Sequence, residues 1–219
     1  MKKKRVFTKT KTQPINWRQA QTVLKCLMAD KHYNTALLFA TGFYFGLRIS
    51  DILSLKWEQI ISPEFTVIEK KTGKERALTN SYEFAQIVSN VLSEMIRKPS
   101  MNSFVFIRQC KYKDINKPIS IVAANKRIKN GFNHCGIIVK NPSSHTLRKT
   151  FGRNYYESNG KTEAALIHLG KIFNHRDLST TREYIGLTKE VIQNAYISTG
   201  GGKADANLLA NLQGMLKAS

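Results

Sequence analysis

Two arginines, two histidines, a lysine and a tyrosine stand in this chain where their side chains could act together on a phosphate group. Arg48 lies in Gly46-Leu47-Arg48-Ile49-Ser50-Asp51, at a helix junction inside an apolar stretch. His145 and Arg148 are spaced i, i+3, which puts imidazole and guanidinium on one helix face. His175 is followed nine residues later by Tyr184, and Lys71 falls in the turn Lys71-Thr72-Gly73-Lys74. Arginines bind phosphate oxygens in pairs of parallel hydrogen bonds, while histidine and lysine move protons. The sequence places no pair of carboxylates beside them, so two-metal phosphodiester chemistry fits poorly. A phosphoryl transfer without metal draws its cations from side chains, and this set supplies them. Singly, each residue has a plain reading. Arg48 could pair with Asp51, Lys71 could be a solvated turn residue, His145 a helix cap, and Tyr184 a half-buried core tyrosine.

The elements that must position these residues follow from periodicity. Asn16 is placed to cap a helix from Trp17, with Ala20, Val23, Leu24, Leu27 and Met28 on its apolar face. A second apolar helix runs from about 34 to 45 and stops at Gly46; a short third begins near Ser50, with Asp51 in its first turn. Phe65-Thr66-Val67-Ile68 and Arg76-Ala77-Leu78-Thr79 predict two strands around the lysine turn, and Phe104-Val105-Phe106-Ile107 predicts a third. Helices are expected at roughly 81–97 and 119–133, and from His145 almost to the end, with breaks at Gly160, around 174–178 and near Gly186. The fold class is α+β, mostly helical with a small antiparallel sheet.

The chain has 219 residues with 35 Lys+Arg against 15 Asp+Glu, a formal charge of +20. Such an excess repels itself and suits a polyanionic partner, although a basic housekeeping protein would share it. No apolar stretch approaches the ~20 residues that span a bilayer, so no membrane is expected. The cations of residues 1–13 lack a following apolar region, which predicts a cytoplasmic protein. Residues 1–16 are expected as a basic arm, 17–197 as the main domain, the glycine-rich 198–202 as a flexible linker, and 203–219 as an amphipathic helix. Leu208, Leu209, Leu212, Met215 and Leu216 form the stripe of that helix, and spacing leaves open whether it docks on its own domain or on a neighbouring copy. Cys26, Cys110 and Cys135 fit no disulfide or zinc spacing; His134-Cys135 has no second pair at ligand distance, so no metal or other cofactor is expected.

Phe45 through Trp57 (FGLRISDILSLKW) resembles the first arginine box of the tyrosine recombinases, a family of phage integrases, Xer-type resolvases and fimbrial invertases. His145-Thr146-Leu147-Arg148 resembles their His-x-x-Arg box, and His175 through Tyr184 their last box. Lys71 falls where the family keeps its hairpin lysine, although Lys70 and Lys74 flank it. Asn174 stands where the family usually has glycine. The helical domain of about a hundred residues that commonly precedes the catalytic one has no counterpart before Trp17, so the chain resembles an isolated catalytic domain or a short invertase-like member.

The resemblance implies the catalytic-domain fold of that family and a site-specific recombinase of bacterial or phage context. Tyr184 would attack DNA to form a 3′-phosphotyrosyl link, needing neither metal nor ATP. Arg48 and Arg148 would hold the non-bridging oxygens, Lys71 would protonate the leaving 5′-oxygen, His145 would take the tyrosine proton, and His175 would hydrogen-bond the phosphate. Asp51 would orient Arg48 or His145. Implied partners are double-stranded DNA, three further copies in a tetramer tied by exchange of the C-terminal helix, and accessory DNA-bending proteins. Competing readings are relaxation of DNA as by a type IB topoisomerase, a non-catalytic DNA-binding regulator that kept the fold, and an unrelated RNA-binding protein.

Overall fold

A helix that is apolar all round belongs in the middle of a protein, and residues Tyr33–Phe45 meet that description. In the computed structural model, which describes residues 12–108, 117–187, 194, 197 and 205–217, this segment is α2. Its residues Ala36 through Phe43, together with Phe45, are buried, and it packs against α1 (Trp17–Ala29), α5 (Tyr82–Ser93), α6 (Ile121–His134) and α7 (Ser144–Ser158). Each fully buried Leu or Phe here contributes about 1.5–3 kcal/mol. Between α2 and α5 lie the short helices α3 (Ile49–Ile52) and α4 (Trp57–Ile60) and the antiparallel pair β1 (Glu64–Ile68) and β2 (Glu75–Thr79). After α7 come α8 (Glu163–Phe173), α9 (Leu178–Tyr184) and α10 (Ala206–Lys217).

Local chemistry sets the boundaries. Asn16 and Gln19 form a reciprocal capping box at the start of α1, at 2.8 and 3.2 Å. Ser81, Ser120, Thr162 and Asp177 each accept a backbone N–H at the start of α5, α6, α8 and α9. The breaks expected at Gly160, around 174–178 and near Gly186 fall between α7 and α8, between α8 and α9, and after α9. One expected helix is shorter: α5 ends at Ser93, and Ile96 beyond it is fully exposed.

The third expected strand does not form. Phe104 and Ile107 make only isolated bridges, to Lys56 and Pro118. Val105 and Phe106 are buried in the helical core, so the apolar run signals burial rather than a ladder. Residues 1–11 of the basic arm, Cys110 and the linker 198–202 lie outside the described residues. No helix among the described residues is long and apolar enough to cross a membrane.

Two apolar clusters make up the interior. The larger surrounds α2; the smaller comprises Leu166, Leu169, Phe173 and Ile185, with Phe151 and Tyr184 packed against it. Helix α7 belongs to both, through Leu147 in the first and Phe151 in the second, and Arg148 lies between them. The approach of α7 to α2 depends on Gly42, where an added Cβ would meet the Leu147 side chain at 2.6 Å. Gly42→Ala should therefore cost about 1–3 kcal/mol, read as a lower urea midpoint; an unchanged midpoint would mean that α7 can shift without loss.

Candidate active site

The seam between the two clusters opens as a cleft of roughly 400 Å³, lined by Arg48, Lys71, His145, Arg148, His175 and Tyr184 among others. All six residues singled out from the sequence thus meet at one place. Arg148, 4% exposed, donates to the Gly46 carbonyl and, at 3.3 Å, to the Phe173 carbonyl. Arg48 donates to that same Phe173 carbonyl at 3.3 Å and to Glu69 at 2.6 Å. The Phe173 ring lies 4.3 Å beneath the Arg148 guanidinium and 5.3 Å from the Tyr184 ring, edge to face.

The Tyr184 hydroxyl is 3.2 Å from His145 Nδ1. Burial raises its pKa, and the charges of Arg148 and Arg48 and a hydrogen bond from Arg148 pull the other way. Although solvent reaches the His145 ring at the mouth of the cleft, its packed surroundings lower its pKa, helped by the Lys149 and Arg148 cations. His175 is lowered in the same way, by burial and then by Arg148 and Arg48. Its Nδ1 is 3.1 Å from Thr181 Oγ1, a fully buried hydroxyl.

Asn174, in the position where the resembled family has glycine, adopts left-handed backbone (φ 53°, ψ 47°) as the C-cap of α8. Asparagine tolerates that conformation better than other non-glycine residues, so His175 keeps its place. The Asn174 side chain also accepts from Lys74 at 2.8 Å. This fastens Lys74 to α8 and leaves Lys71 as the hairpin lysine lining the cleft.

Two expectations are corrected. Asp51 does not hold Arg48 or His145. Its Oδ1 accepts from Ser50 at 3.1 Å and from the Lys70 backbone N–H at 3.0 Å, and its buried Oδ2 has no hydrogen-bond partner among the described residues. Glu69 makes the Arg48 pair instead. Moreover, a pair of carboxylates does accompany the cations, since Asp51 and Glu69 are both buried on the hairpin side of the cleft. Their bonds go to Arg48, Thr72, Ser50 and a backbone amide. Burial raises the Glu69 pKa, but the bonds from Thr72 and Arg48 outweigh it and keep the carboxyl ionised.

Sequence reasoning also missed Phe173, whose backbone oxygen joins the arginines, and Lys149, a buried residue of α7. The Lys149 ammonium is 5.1 Å from the Tyr184 ring and donates to the Thr12 carbonyl at 2.8 Å. Thr12 also meets Thr146, hydroxyl to hydroxyl at 2.6 Å, so the residues leading out of the basic arm run alongside α7. The spacing Arg148-Lys149 gave no hint of this, because adjacent helical residues face different ways.

The sequence matches the phage integrase family over residues 16–190. A Bacillus subtilis (strain 168) protein named "Probable integrase/recombinase YoeC" is 30% identical over 190 residues, covering 86% of this chain and 97% of that protein. Among solved structures, XerH recombinase bound to its difH DNA superimposes with a TM-score of 0.61 at 21% identity, over 84% of this chain and 52% of that one. XerA recombinase gives 0.62 at 17%, over 85% and 65%. The Tn1549 transposon integrase with transposon right-end DNA gives 0.62 at 16%, over 86% and 67%. At these identities the structures share the fold, and this chain spans between half and two thirds of their length.

The lowered histidines set a pH dependence. Each binds its proton more weakly in the folded than in the unfolded chain, where the pKa is about 6.5. Their contribution to stability is thus complete above that value and is lost as pH falls through the folded pKa. Ring-proton NMR titration should place both midpoints below about 6.5; a midpoint at or above it for either ring contradicts the assignment of its surroundings.

Proposed function

The chain belongs to the phage integrase family, and from that premise we propose that it is a site-specific recombinase that cuts and rejoins duplex DNA through Tyr184. The observation that carries this reading is the Tyr184 hydroxyl, 3.2 Å from an imidazole in a cleft that also holds two arginines and a lysine. A backbone phosphate in that cleft replaces the Phe173 carbonyl as the shared acceptor of Arg48 and Arg148, which then bind its non-bridging oxygens. As the Tyr184 oxygen bonds to phosphorus, its proton passes to His145. The bond from phosphorus to the 5′-oxygen breaks, and Lys71 gives that oxygen its proton. His175, whose Nδ1 meets Thr181 Oγ1, hydrogen-bonds the phosphate through Nε2 in the protonation state that carries a hydrogen there. The phosphotyrosyl ester conserves the energy of the bond it replaces, so rejoining needs no ATP.

Asp51 and Glu69 both hold the hairpin that carries Lys71, one by the Lys70 amide and the other by the Thr72 hydroxyl. Glu69 thereby links the position of the lysine to that of Arg48. The +20 charge supplies the general attraction to DNA. On α10, Leu209 and Met215 are exposed, which supports docking of this helix on a neighbouring copy within a tetramer.

On nicked DNA from the repeats flanking its gene, the chain should form a covalent protein–DNA adduct that Tyr184→Phe abolishes while DNA binding persists. Lys71→Ala should slow cleavage by about 10²–10⁴ and recover when sulfur replaces the 5′-bridging oxygen, because a thiolate leaves without a proton. An adduct in Tyr184→Phe, or the same rescue pattern in Lys70→Ala or Lys74→Ala, would overturn the respective assignment. Deleting residues 203–219 should impair recombination more than single-strand cleavage; equal loss of both would place the helix on its own domain.

A further inference from the structure

About one helix length from the cleft, a second group of reactive side chains comes together. Helix α6 places Ile121 at the cleft and His134 at its other end, roughly 20 Å away at 1.5 Å per residue. There His134 Nε2 lies 2.7 Å from Asp30 Oδ2, and Cys26 Sγ lies 3.8 Å from the same oxygen. Ligand atoms of Cys26, Asp30 and His134 all fall within 4.8 Å of one another. Cys135, the next residue, is 3.7 Å from the Val23 carbonyl, one turn before Cys26 on the same side of α1. Burial and a hydrogen bond with the Cys26 thiol raise its pKa to about 12. The His32 ring packs edge-on against that of His134, with centroids 4.6 Å apart. Neither Cys26 nor Cys135 is in a disulfide.

We propose that Cys26, Asp30 and His134 form a binding site for a tetrahedral, thiophilic divalent cation of the zinc class, with Cys135 turning from the Val23 carbonyl to supply the fourth ligand. Two sulfurs, one nitrogen and one oxygen are a donor set that zinc takes. Ligand atoms around such an ion stand a little over 3 Å apart, as follows from bond lengths near 2.0–2.3 Å. The His134–Asp30 hydrogen bond is therefore replaced by two bonds to the metal after a small outward movement of exposed side chains. Both thiols enter as thiolates and release their protons to solvent. The resulting charge of −1 complements Lys126 and Arg127, which line the adjoining depression with His32 and His134. Because α1 supplies Cys26, the turn after it Asp30, and the end of α6 the other two ligands, the ion pins the helices together. Asn125 of α6 in turn accepts from the backbone N–H of Ser144, the residue before His145, at 2.9 Å. The site is thus a structural clip behind the cleft wall, separate from the proposed strand-transfer residues.

The full chain, reduced and stripped with a chelator, should take up one Zn²⁺ and melt about 5–10 °C higher at a hundredfold excess of metal over its Kd. Co²⁺ in its place should give sulfur-to-cobalt charge-transfer absorption and the intense visible bands of a tetrahedral site. Cys26→Ser with Cys135→Ser should remove both signals and weaken uptake by more than about 100-fold, beyond the loss of an outer partner. Should that variant fail to fold, Asp30→Ala and His134→Ala, at exposed positions, should weaken uptake and shift the cobalt bands. Substoichiometric zinc, a cobalt spectrum without the thiolate band, or unchanged affinity in these variants overturns the site. So does a Cys26–Cys135 disulfide, seen as a loss of two hydrogen masses, in a chain that binds no zinc once reduced.

Discussion

Three guanidinium groups lie close together at and behind one cleft, and the fold must hold them there against their mutual repulsion. Among the described residues, Arg48, Arg76 and Arg148 are faced by two buried carboxylates, Asp51 and Glu69. For Arg148 and Arg76 the crowding weighs against the charged form. Burial and the neighbouring cations lower the Arg148 pKa, and Arg76 falls to about 10, chiefly through burial and then through Arg148. One buried Arg76 nitrogen and one Asp51 oxygen have no hydrogen-bond partner among the described residues. The site therefore carries unmet positive potential, and an anion entering the cleft relieves it.

Helix ends supply what the carboxylates do not. The carbonyls of Phe45 and Gly46, at the end of α2, accept from Arg76 and Arg148. The carbonyl of Phe173, the last residue of α8, accepts from both Arg48 and Arg148. The final carbonyls of a helix have no partner within it and carry the negative end of its dipole, which favours cations by about 0.3–2 kcal/mol each. Left-handed turns at Gly46 and Asn174 direct those carbonyls. At Gly46 an added Cβ would also collide with the Phe151 ring. Glycine there serves the arginine site as much as it ends α2, and asparagine does the same at 174 while anchoring Lys74.

This division of labour explains what the sequence disclosed. Arg48, His145, Arg148, His175 and Tyr184 were legible because their chemistry resides in side chains, two of them at helical spacing and all of them in boxes that resemble those of one family. Lys71 was legible because a glycine turn marks a hairpin tip. Asn16 announced the start of α1 for the same reason. Phe173 was not legible, since a backbone carbonyl leaves no trace in residue type and its ring reads as ordinary core. Glu69 was hidden in a strand-end run with two lysines, where a carboxylate looks solvated. The stretch from Phe104 to Ile107 misled because a short buried run has the same pattern whether or not a partner strand is present. Cys26 and His134 stand 108 residues apart, so spacing could not bring them together.

The electrostatics also constrain the timing of the proposed attack. In the empty cleft, burial raises the Tyr184 pKa while the two arginines lower it, with burial prevailing. A bound phosphate neutralises those arginines and brings its own negative charge close to the phenol. Forming a free phenolate then becomes harder at the moment it would be needed. The proton must therefore leave as the oxygen–phosphorus bond forms, when negative charge flows onto phosphate oxygens already held by Arg48 and Arg148. His145 suits that role because its lowered pKa keeps it neutral, and able to accept, at physiological pH. Arg148, which together with burial and Lys149 weakens it as a base, also stabilises the charge that its action releases, so base and electrostatic clamp share one guanidinium.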